Sequence, residues 1–104
     1  MQEFSQIIIT LIKNIPAGKV TTYGRLASYA GQPRSARQVA RILHSCSSNH
    51  QLPWHRVINS QGRISLTNEQ GRLQRQKLQT EGVIFNLGDT INLRHFLWNP
   101  DLND

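Results

Sequence analysis

Four histidines, one cysteine and six acidic side chains are the raw material for chemistry in this 104-residue chain. His44, His50, His55 and His95 stand at no metal-ligand spacing with Cys46 or a carboxylate, so no metal site is expected. A serine–histidine–carboxylate site would need an acid near His55, and the acids are few and mostly C-terminal. No glycine-rich phosphate loop occurs, and no cofactor is expected. What the spacing does supply is positive charge. Arg37, Arg41 and His44 fall at i, i+4 and i+7, on one face of a helix. Residue chemistry alone describes a poor enzyme and a good partner for a polyanion.

The charge balance says the same. Twelve Lys and Arg against six Asp and Glu leave a net +6. Residues 1–68 hold eight basic side chains and one acid, while residues 69–104 hold four basic and five acidic ones. A basic front half on a small domain points to nucleic acid.

The elements that must position these side chains follow from periodicity. Phe4, Ile7, Ile8, Leu11, Ile12 and Ile15 make one apolar helical stripe, ended by Pro16 and Gly18. Thr21-Thr22 offers an N-cap for a second helix over about 23–30, which Gly31 stops. Ser35 caps a third, over about 36–46, with Ala36, Val39, Ala40 and Leu43 packing inward. Two short helices across a glycine turn, the second with a basic outer face, read as helix-turn-helix. Residues 45–52 read as a polar loop. Val57–Asn59 and Arg63–Ser65 around Ser60-Gln61-Gly62 suggest a hairpin. Thr67 with Gln70 suggests a capping box for a polar helix over about 68–81. Phe85, Leu87, Ile91 and Leu93 around Gly88-Asp89 suggest a second hairpin, and His95–Trp98 a final turn on the core.

Length and composition fit this reading. One domain spanning 1–104 is expected, with 1–3 and 99–104 frayed. No apolar run reaches the ~18 residues of a membrane helix, and the N-terminal stripe lacks the basic leader and cleavage site of a signal peptide. A single cysteine excludes a disulfide framework and fits a reducing, cytoplasmic compartment.

One run goes further. Pro53-Trp54-His55-Arg56-Val57 resembles the Pro-Cys-His-Arg-Val active-site segment of the O6-alkylguanine-DNA alkyltransferases, with tryptophan in place of the nucleophilic cysteine. That substitution marks the alkyltransferase-like proteins. The resemblance extends over residues 4–82 and includes Pro16–Gly24, Ser35–Val39 and Val57–Gly62. It implies a mainly α fold with short β-hairpins, a winged helix-turn-helix-like DNA-binding domain resembling the C-terminal domain of the alkyltransferases.

The resemblance also implies a mechanism. The helix-turn-helix enters the minor groove, and an alkylated guanine is rotated into a pocket. Arg37 matches the arginine that fills the vacated stack, and Tyr23 the tyrosine beside the flipped nucleotide's phosphate. Trp54 becomes a pocket wall, and His55 matches the histidine that relays a proton from the thiol in active relatives. Tyr23, Trp54 and His55 are therefore the expected lesion-pocket residues. Arg34, Ser35, Arg37, Gln38, Arg41 and Arg56, with Tyr23, are the expected DNA contacts. Double-stranded DNA bearing O6-alkylguanine and the proteins of nucleotide excision repair are the implied partners, with the chain acting as a monomer and without a membrane.

Departures from the pattern bear on activity. The family pairs its histidine with a glutamate on the following helix; counted back from Glu81-Gly82, that position is Arg75, which would remove the orienting carboxylate as well as the nucleophile. Cys46 falls where active members carry an asparagine, and Leu66-Thr67-Asn68 is unlike the family's pocket loop. Alkyl transfer needs a polarizable thiolate, whereas an indole N–H only donates. The expectation is a non-enzymatic lesion binder with no catalytic residue. Its rivals are a sequence-specific helix-turn-helix regulator and a residual alkyltransferase using Cys46.

Overall fold

The computed structural model describes residues 3–100, without the side chains of 47–49. The expected fraying at 1–2 and 101–104 lies outside the described residues. Helix α1 (Phe4–Lys13) buries Ile8 and Ile12, the centre of its apolar stripe, and Ile9 beside them. A short strand β1 (Thr21–Thr22) leads directly into α2 (Tyr23–Tyr29), and Thr22 Oγ1 accepts the Arg25 N–H at 3.1 Å as its N-cap. At the other end Gly31 N–H donates to Ser28 O and Gln32 N–H to Ala27 O, a double closure that needs the positive φ of +85° at Gly31. The chain then turns into α3 (Ala36–His50). Helices α1, α2 and α3 enclose one core cluster around Ile8, Ile12, Leu26, Val39 and Val57, closed by Trp98.

Helix α3 is four residues longer than its periodicity indicates. The Ser- and Asn-rich stretch after Cys46 stays helical to His50, and Gln51, at φ +51°, ends it. Cys46 on the core and the buried Leu52 just beyond hold this turn, so packing outweighs weak intrinsic propensity. Ala40 is the other departure: it is exposed, because α3 overhangs an open cavity there instead of core.

After a 3-10 turn at Trp54–Arg56, strand β2 (Val57–Ile58) runs parallel to β1, pairing Thr21 with Val57 and Thr22 with Ile58. The hairpin expected between 57–59 and 63–65 is therefore replaced by a long-range pairing. Asn59 accounts for this: its side-chain oxygen accepts from the N–H groups of Gln61 and Arg63, each at 3.0 Å, and coils the segment into a tight loop. At its tip the Gly62 carbonyl accepts Ile91 N–H at 2.8 Å. A Cβ at Gly62, whose φ is +77°, would stand 2.8 Å from Ile91 O, so only glycine allows this approach.

Helix α4 (Asn68–Thr80) begins at Thr67, whose side chain makes no cap hydrogen bond, so the expected capping box is not formed. The turn around Gly88-Asp89 does close, through Asn86 N–H to Thr90 O at 2.7 Å and one Phe85–Ile91 bridge. Helix α5 (Leu93–Phe96) follows, and Val20 exchanges backbone hydrogen bonds with Phe96 and Trp98. A second cluster, with Val20, Ile58, Leu78, Val83 and Phe96, lies on this side of the two-stranded sheet. No helix among the described residues is long and apolar enough to cross a membrane.

Candidate nucleic-acid interface and base cavity

The outer face of α3 carries Arg37, Gln38 and Arg41 in the open, with exposed Arg34 just before the helix. Ser35 is half-buried and its hydroxyl donates to Gln32 Oε1 at 3.2 Å, which fixes the turn ahead of α3. Behind this basic face lies a cavity of about 470 Å³. Tyr23 from α2, Ala40, Leu43 and His44 from α3, and Trp54 from the 3-10 turn form one side. Leu66, Leu73 and Gln74, on α4 and the loop before it, form the other. The size suits one planar base with a substituent. Tyr23 and Trp54 thus reach a common space, as their motifs imply. Leu73 and Gln74 carry no family signature in the sequence reading; their i, i+1 placement on a polar helix hides that both turn toward one wall.

His55 does not line this cavity. Its ring turns inward, 8% of the residue exposed, and Nε2 lies 2.8 Å from Glu81 Oε2. Arg56 joins the same carboxylate: Nη2 donates to Oε2 at 2.6 Å and Nε to Oε1 at 3.0 Å, while Nη1 donates to Ile15 O at 2.8 Å. Gly18 N–H adds a further donor to Oε1 at 3.1 Å. Three sequence expectations are corrected here, the first being His55 as a pocket residue, since its ring is buried against Glu81. The carboxylate partner of the histidine is present and is Glu81, just past the end of α4, not the position of Arg75. Arg75 instead pairs with Asp89 and stacks its guanidinium 4.5 Å over the Phe85 ring. Arg56 is not an available phosphate contact, since its whole fork is committed inside the fold. The signal was in the sequence: the Glu81-Gly82 pair used as a reference point was itself the carboxylate position.

Burial alone would raise the Glu81 carboxyl, but the donors from Arg56, His55 and Gly18 outweigh it and hold the pKa at about 2. Burial lowers the His55 pKa, with the Arg56 and Lys77 charges adding to it; Glu81 opposes them only in part. The imidazole is therefore neutral near pH 7, and its carboxylate partner assigns the proton to Nε2. Gln74, 2% exposed, completes the clamp by donating to the carbonyls of His55 and Val57 at 3.1 and 2.9 Å.

The turn that bears Trp54 is thus tied to α4, to Glu81 just past it and to the segment between α1 and β1. In front of the His55–Glu81 pair stands an indole, edge-on to the imidazole with centroids 6.3 Å apart. No thiol shares the cavity: Cys46 is half-buried against the core. The arrangement can enclose and contact a base, and it holds a general acid–base pair with no nucleophile beside it.

Residues 3–83 match the family model described as the DNA-binding domain of 6-O-methylguanine DNA methyltransferase. A protein of Escherichia coli named DNA base-flipping protein is 45% identical over 96 residues, covering 92% of this chain and 74% of that protein. Alkyltransferase-like protein 1 of Schizosaccharomyces pombe is 42% identical over 106 residues, covering 96% of this chain and 98% of that protein. The crystal structure of S. pombe Atl1 in complex with damaged DNA containing O6-carboxymethylguanine superposes with a TM-score of 0.81 at 35% identity, covering 96% of this chain and all of that one. The crystal structure of Mycobacterium tuberculosis OGT in complex with DNA gives a TM-score of 0.60 at 27% identity, over 78% of this chain and 50% of that one. Matched over residues 3–83 by the family model and over 96% of its length by an alkyltransferase-like relative, this chain belongs to the alkyltransferase-like branch of the 6-O-methylguanine DNA methyltransferase DNA-binding-domain family.

Proposed function

We propose that the protein recognises O6-alkylguanine in duplex DNA and holds the base extruded, without removing its alkyl group. The observation that carries this reading is the cavity behind the basic face of α3, walled by Trp54; by the resemblance, Trp54 takes the place of the acceptor cysteine. Arg37 fills the stack that the base leaves, Tyr23 turns the neighbouring phosphate, and Arg34, Gln38 and Arg41 hold the backbone. O6-alkylation removes the N1 proton of guanine and weakens its pair, so extrusion, a few kcal/mol for a normal base, is easiest at the lesion. Apolar contact between the alkyl group and Trp54 adds ~1–2 kcal/mol at about 25 cal/mol per Å². Damage selectivity then needs no catalysis. The extruded complex serves as a mark for excision-repair proteins, with the protein acting as a monomer. The curated and structural relatives named for base flipping and for complexes with damaged DNA support this reading.

The test is competition between an unmodified duplex and the same duplex bearing one O6-methylguanine. Preference for the lesion of tenfold or more, with no mass increase of the protein, is the expected result. Equal affinity, or transfer of a methyl group to Cys46, would overturn it.

A further inference from the structure

A second groove, of about 530 Å³, lies on the other side of α4 from the base cavity, and Leu66 lines both. Its walls carry Arg63, Arg72, Arg75 and Asp89 beside Phe85. Arg75 and Asp89 neutralise one another as an ion pair, and Arg75 is further held over Phe85. Arg63 makes no ion pair among the described residues. Arg72 meets only Glu69, in a pair whose side chains are 79% and 86% exposed, which is worth little and readily exchanged. Two guanidinium groups without a strong partner among the described residues therefore line the groove that adjoins the base cavity at Leu66, across α4 from α3. A base that enters the cavity carries its own backbone across the mouth, so phosphates must lie on both banks. The α3 bank has Arg41 and His44; Arg63 and Arg72 are the positive charge of the other.

From this we infer that Arg63 and Arg72 form a second phosphate clamp, which grips the lesion-bearing strand only once the base is extruded. The inference rests on the base extrusion proposed above. It makes the ionic component of binding depend on the lesion: an undistorted duplex engages α3 alone, and an extruded nucleotide adds contacts on the far bank.

The experiment is the salt dependence of affinity on matched duplexes with and without one O6-methylguanine. Each phosphate contact contributes about 0.9 to the slope of log affinity against log salt. The wild type is expected to be steeper on the lesion duplex by about 1.8, and the Arg63→Ala/Arg72→Ala double variant to lose that excess while its slope on unmodified DNA stays put. The Arg63→Lys/Arg72→Lys variant should restore the excess, and Arg75→Ala/Asp89→Ala, which removes that ion pair as a unit, should leave both slopes unchanged. Lesion preference with equal wild-type slopes, or a double variant that changes both duplexes alike or neither, overturns the clamp and leaves extrusion standing. A wild type with no lesion preference overturns both.

Discussion

Glu81 Oε2 lies 2.8 Å from His55 Nε2 and 2.6 Å from Arg56 Nη2, so one carboxylate oxygen joins a neutral imidazole to a guanidinium. Despite its burial, the donors around the Glu81 carboxyl hold its pKa down at about 2, from the ordinary 4.5 of a glutamate. A depressed carboxyl pKa stabilises the fold above the unfolded value and loses that contribution as pH falls toward the folded one. Stability should therefore drop between pH 4.5 and 2 by ~2 kcal/mol from this group, after discounting for solvent screening. Denaturant midpoints over that range in wild type and Glu81→Gln check it: the variant should be weaker at pH 6 and should lack this part of the acid transition.

Arg56 distinguishes structural from DNA-contacting arginines. Removing it leaves Glu81 short of its strongest donor and the Ile15 carbonyl without one. Arg56→Ala should cost ~2–3 kcal/mol in stability, with the salt slope of DNA binding unchanged in the fraction that remains folded. A slope shallower by about 0.9 would make it a phosphate contact after all.

Arg37 and Arg41 share one exposed face of α3 yet should behave differently. Arg41→Ala should weaken binding to lesion and normal duplex alike and lower the salt slope by about 0.9. If Arg37 fills the vacated stack as proposed, Arg37→Ala should act mainly on the lesion duplex, because only extrusion opens that gap. Titrations of both variants against the matched duplexes separate the two roles. Equal losses for Arg37→Ala would reassign it to the backbone.

Much of this was legible in the chain itself. The stripe Phe4–Ile15 and the caps around Thr22 and Gly31 specify α1 and α2 locally, because short-range periodicity and turn chemistry decide them. Trp54 within its Pro-His-Arg setting located one wall of the cavity. What was not legible depends on distant partners. The β1–β2 pairing joins residues 36 apart in sequence at Thr21 and Val57. The Asn59 loop that displaces a hairpin is held by Ile91. Arg56 looks like any exposed cation until Glu81 and Ile15 are seen around it, and Ala40 looks like core until α3 is placed over a cavity.

Trp54 is the residue on which alkyl selectivity should turn. Trp54→Ala removes the large apolar wall and should reduce the preference for O6-methylguanine over guanine about tenfold, equivalent to the ~1–2 kcal/mol of lost contact. Affinity for the unmodified duplex should change less than twofold. Parallel loss on both duplexes would show that the indole supports the fold alone.

On the proposed reading, the indole that walls the cavity also changes what limits the protein in a cell. A stoichiometric acceptor is exhausted one molecule per adduct, so its capacity is fixed by copy number. A chain that leaves the adduct intact is returned on dissociation, and its capacity is set by residence time. The hydrogen-bonded support behind Trp54 then bears on lifetime: a rigid wall slows escape of an extruded base, and, if the complex is the proposed mark for excision, too slow an escape would hide the damage.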